Sequence, residues 1–70
     1  MFRSLKIVMN NKDVFYMFPK KQRVIDTRII ASSIGKGGDS LVSVNIENSP
    51  DSDKVQINAN NISHIEGISN

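Results

Sequence analysis

The chain has 70 residues, a net charge of +2 and no cysteine. That length makes one domain, residues 1–70, and folding it buries only about 60% of the unfolded surface, so its core is marginal. Without cysteine there is no disulfide or thiolate metal site, and a lone histidine does not anchor zinc. Self-association is therefore the reinforcement left to a chain this short.

The opening stretch, MFRSLKIVMNNKD, places Leu5, Ile7 and Met9 in alternation with Ser4, Lys6 and Asn10, although Val8 is apolar too. This is strand periodicity. The apolar run Ile7–Met9 stops at Asn10, too short for a secretory signal. Together with the absence of cysteine, this fits a cytoplasmic protein. Asn10-Asn11-Lys12-Asp13 is a turn signal, because Asn and Asp side chains bond their own backbone and tolerate turn geometry.

Val14 to Phe18 reads as a second strand, apolar on both faces, and is the longest apolar run in the chain. At five residues it is far from the roughly 20 that a membrane-crossing helix needs. Only one face of a strand in so small a sheet points into the core. The other needs cover from residues 24–34, a second subunit or a partner. Phe15, Tyr16, Met17 and Phe18 are thus the candidate protein interface, being of the residue types that interfaces favour.

Pro19-Lys20-Lys21-Gln22-Arg23 is a basic loop following three aromatic residues. Charge for the backbone and rings for stacking are what single-stranded nucleic acid requires. Lys20, Lys21 and Arg23 are the candidate contacts, a small cluster for binding that must neutralise several phosphates.

Residues 24–34, VIDTRIIASSI, support two readings. Ile25, Ile29, Ile30 and Ile34 recur at helical spacing, with Asp26 or Thr27 as a cap and Gly35 as a stop. Against that, the isoleucines and Val24 favour a strand, and a meander wants one here. Strand is the preferred reading; a short helix at 26–34 would make the fold α+β.

Gly35-Lys36-Gly37-Gly38-Asp39 is a glycine turn, explained by left-handed backbone angles in a hairpin. Its amides beside Lys36 offer a cradle for a phosphate, but the lysine is misplaced for a P-loop. Val42, Val44 and Ile46 alternate with Leu41, Ser43, Asn45 and Glu47, the cleanest strand pattern in the chain. Ser49-Pro50-Asp51-Ser52-Asp53 is the next turn. Its two aspartates lack the glycine and distal glutamate of a calcium loop, so a polar hairpin turn accounts for them.

Val55, Ile57 and Ala59 then alternate with Lys54, Gln56 and Asn58. Asn60-Asn61 breaks the pattern, and Ile62 and Ile65 sit three apart, the spacing of one 3₁₀ turn. Ser63 to Ile68 closes the chain as a strand. Strand, 3₁₀ link and closing strand resemble the ending of SH3-like small barrels, a class that includes the Sm-type ribonucleoprotein barrels. The expected fold is all-β: a small antiparallel meander or SH3-like barrel of five or six short strands.

His64 is the only imidazole, and no serine has a nucleophile's context. The acids Asp13, Asp39, Asp51 and Asp53 lie at turns. The expectation is no enzyme, cofactor or metal. Residues 1–38 carry +6 and residues 39–70 carry −4, which reads either as halves that neutralise each other across the sheet, the favoured view, or as a basic patch for an acidic partner. The leading expectation is a self-associating, non-catalytic protein that docks to another protein, a regulatory or phage-type inhibitor or adaptor. The alternatives are a single-stranded nucleic-acid-binding barrel and sequestration of a small phosphorylated ligand.

Overall fold

A computed structural model describes residues 2–19, 24–31 and 40–69. Five strands form one antiparallel sheet: β1 (Ser4–Met9), β2 (Val14–Met17), β3 (Leu41–Asn45), β4 (Lys54–Asn58) and β5 (Ile62–Ile68). Their order across the sheet is β4-β3-β2-β1-β5. Strand β1 pairs with β2, β2 with β3 and β3 with β4, and β5 returns to the far side of β1. A 3₁₀ turn over Ala59–Asn61 precedes the closing strand. The all-β expectation is met: five antiparallel strands in one sheet, with a 3₁₀ turn before the last.

Alternation in β1 decides which side is the core. Leu5, Ile7 and Met9 are buried, and β2 lays Met17 beside Leu5 and Phe15 beside Ile7. Ile65 flanks Ile7 from β5. Val44, Ile57, Ala59, Ile25 and Ile30 complete the buried cluster. Ile25 reaches it by a single bridge to Phe2, with backbone bonds of 2.9 and 2.7 Å.

Here the sequence reading of residues 24–34 is corrected. Instead of a strand there is that bridge, followed by one helical turn, α1 (Arg28–Ala31). Asp26 starts the turn by accepting a hydrogen bond from the Arg28 N–H at 3.2 Å, the capping role its sequence position suggested. Residues 32–34 and the glycine turn lie outside the described residues.

The 3₁₀ turn is also displaced from the Ile62–Ile65 spacing that suggested it. Asn58 caps it, its side-chain oxygen accepting the Asn60 N–H at 2.9 Å. The three-residue spacing has a different cause, a β-bulge in β5. Met9 pairs with Ile62 and Val8 with His64, leaving Ser63 as the extra residue. A bulge inserts one residue into the alternation, which lets both Ile62 and Ile65 pack against the core.

The β1–β2 hairpin follows its turn residues. Lys12 takes a left-handed φ of 74°, and its N–H donates to the Met9 carbonyl at 2.9 Å. A left-handed residue ending a three-residue loop matches the twist of the flanking strands. Asn11 and Asp13 fix the loop through two reciprocal hydrogen bonds of 3.0 Å.

Candidate functional site

The sheet splits residues 14–18 between its two faces. Phe15 and Met17 pack against the core. Val14 and Tyr16 point the other way, beside Val8 and Lys6 of β1. Phe18, just past the strand, is not among the core-packing side chains. All five are half-buried. The face away from the core therefore carries Val8, Val14 and Tyr16, and the candidate interface residues Phe15 and Met17 meet solvent only in part.

A row of polar groups crosses the same outer face. Glu66 of β5 lies opposite Lys6, Lys6 opposite Tyr16, and Tyr16 opposite Asn45. The row sets a basic residue from the first half of the chain against an acidic one from the second. Opposite charges directly across a strand pair stabilise it modestly, by up to about 1 kcal/mol. Beside them His64 Nε2 lies 3.1 Å from Glu66 Oε2, with both side chains about half exposed.

Asn45 is the one member of this row that is buried, at 4% exposure. Its amide nitrogen donates to the carbonyls of Ser52 at 3.1 Å and Pro50 at 3.4 Å. It anchors the β3–β4 loop from within. Ser52 assists from the loop side, where its hydroxyl lies 2.7 Å from the Ser49 carbonyl. Asp51 and Asp53 sit in a hairpin turn held by this scaffold, as the sequence suggested.

At α1 the geometry is electrostatic. Arg28 Nε and Nη2 both lie 3.1 Å from Asp26 Oδ2. The backbone N–H of Arg28, followed by its guanidinium, holds the Asp26 carboxyl below its ordinary range. Arg28 is exposed and Asp26 only partly so, and the pair closes the start of the helical turn as a local cap.

One open cleft of about 170 Å³ is bounded by Met9, Asn10, Asn11 and Asn61. Ligand pockets generally run from about 300 Å³ upward, so this cleft suits solvent better than a substrate. Among the described residues no three His, Cys, Asp or Glu side chains gather as metal ligands. No helix among them is long and apolar enough to cross a membrane. Lys20, Lys21, Arg23 and Lys36, the candidate nucleic-acid or phosphate contacts, lie outside the described residues.

Reading the sequence alone missed Asn45 and the pairing of Lys6 with Glu66. A polar residue at the end of an alternating strand, followed by a turn rich in Ser, Pro and Asp, is the signal for the first. The second needs the β1–β5 register, which local pattern does not contain. No known protein family, curated protein or solved structure matches the chain.

Proposed function

We propose that this is a non-catalytic binding protein of the cytoplasm that self-associates and docks onto another protein. The observation that carries the reading is the split of residues 14–18. The core takes Phe15 and Met17, while Tyr16 and Val14 remain beside Val8 on the opposite face. A tyrosine amid branched apolar side chains is a composition that binding surfaces favour, since its ring supplies contact area at low entropic cost. An inhibitor or adaptor, of regulatory or phage type, works by such a surface.

Paired variants test this. Val14→Lys and Tyr16→Asp alter the outer face and leave the inward residues unchanged. Affinity capture and sedimentation are compared with the unaltered protein. Loss of a specific partner, with the melting temperature within a few degrees of the parent, supports the reading. A parent protein that stays monomeric and captures no protein ends it.

A second reading rests on Tyr16 lying next to Lys6, a ring beside a cation, a short way before the basic 20–23 segment. Single-stranded nucleic acid fits that pairing. Its mark is binding that weakens steeply as salt is added and is lost on charge reversal at Lys20, Lys21 and Arg23. No binding at low salt removes it.

A further inference from the structure

We infer that two copies of this chain join through the outer edge of β5, antiparallel about a two-fold axis at Ile65. This specifies the self-association proposed above and rests on it. Among the described residues β5 pairs only with β1. It is the longest strand, at seven residues, and an unpaired edge is a template for another strand.

The sequence ISHIEGI is complementary to itself in one register. With Ile65 opposite the partner copy's Ile65, His64 faces the second copy's Glu66, and Glu66 faces its His64. Both sets of side chains match by face. Ile65 packs against the core and extends the row from Phe15 through Ile7, so the apolar row would run unbroken from one core into the other. On the outer face, His64 and Glu66 are each about half exposed and have room to meet a second strand. Glu66 would then lie between Lys6 of its own chain and His64 of the other, an anion flanked by two bases.

The other edge fits less well. Self-pairing of β4 about Gln56 sets Lys54 against Asn58, with no charge complement. Pairing β4 of one copy with β5 of the next gives a single charge match, Lys54 with Glu66. It is also head-to-tail, so it propagates unless a ring closes. The two-fold β5 contact closes on itself and leaves β4 at each end with Lys54, a residue type that discourages edge pairing.

The test is sedimentation of the full chain with two variants. His64→Glu sets two glutamate pairs across the axis. It changes a half-exposed side chain and also removes the 3.1 Å contact to Glu66 within each chain, so the melting temperature of the dilute monomer is compared with the parent's. It is expected to weaken the dimer roughly tenfold or more, since each pair turns from attraction to repulsion. Ile65→Cys gives a chain with a single thiol. Opposed residues of antiparallel strands lie about 4.5–5.5 Å apart at Cα, within disulfide reach, so mild oxidation is expected to yield a covalent dimer. Gln56→Cys, at the centre of β4, is expected to form no cross-link under the same oxidation, although it still dimerises through β5. A dimer of undiminished affinity in His64→Glu, a cross-link at residue 56 in place of 65, or an assembly larger than two overturns the β5 contact and leaves self-association standing. A parent that is monomeric throughout overturns both.

Discussion

Gly67 shows how closely this small chain is packed. A β-carbon built on it would collide with the ring of Phe2, so only hydrogen fits beneath that ring. The backbone of Phe2 in turn bridges to Ile25, so this residue joins the 24–31 segment to the closing strand, by its backbone on one side and its ring on the other. Gly67→Ala should destabilise the protein by about 1–3 kcal/mol, the usual cost of overpacking. In chemical denaturation, the loss should shrink when Phe2→Leu is added, because the clash is with the ring. Equal losses in both backgrounds would place the cost in the strand backbone and not in the contact.

At the level of elements, the loop between β3 and β4 depends on a side chain that belongs to the strand. Asn45 donates to two loop carbonyls from a buried position. Asn45→Ala leaves those carbonyls without their donor, at a cost of about 1–3 kcal/mol. Hydrogen exchange should quicken at the Ile46 amide, which bonds to the Asp53 carbonyl at 3.0 Å, before it quickens in β1. Uniform exchange across the sheet would mean that the loop is held by other contacts. All five strands and the turns between β1 and β2 and between β3 and β4 were legible in the sequence, because each rests on local alternation, an unbroken apolar run (β2) or turn chemistry. Three features were not. The branched residues of 24–31 bridge and coil because Phe2 and the core claim Ile25 and Ile30, a tertiary outcome that overrides strand propensity. The spacing of Ile62 and Ile65 mimicked a 3₁₀ turn because a bulge and such a turn both disturb a period of two. The division of Phe15 and Tyr16 between faces followed from alternation, but which face is the core was set by β1.

The whole molecule is as tight as its length permits. Its radius of gyration is 11.2 Å, against about 11 Å for a compact chain of this size. Compactness does not remove the limits of a 70-residue core, and stability on the order of 0.05–0.15 kcal/mol per residue leaves little reserve. A dimer binds the native state and not the unfolded chain, so mass action adds to that reserve. The melting temperature should therefore climb with protein concentration, and the climb should flatten in His64→Glu. A melting temperature constant over a hundredfold range of concentration would show that each copy stands alone. The bulge at Ser63 has a final consequence for how such copies meet. Were that residue missing, Ile62 and Ile65 would alternate evenly with their neighbours and the edge would run straight, the kind of track on which fibrils grow. One supernumerary serine bends the track and would leave a second copy only a short stretch on which to pair.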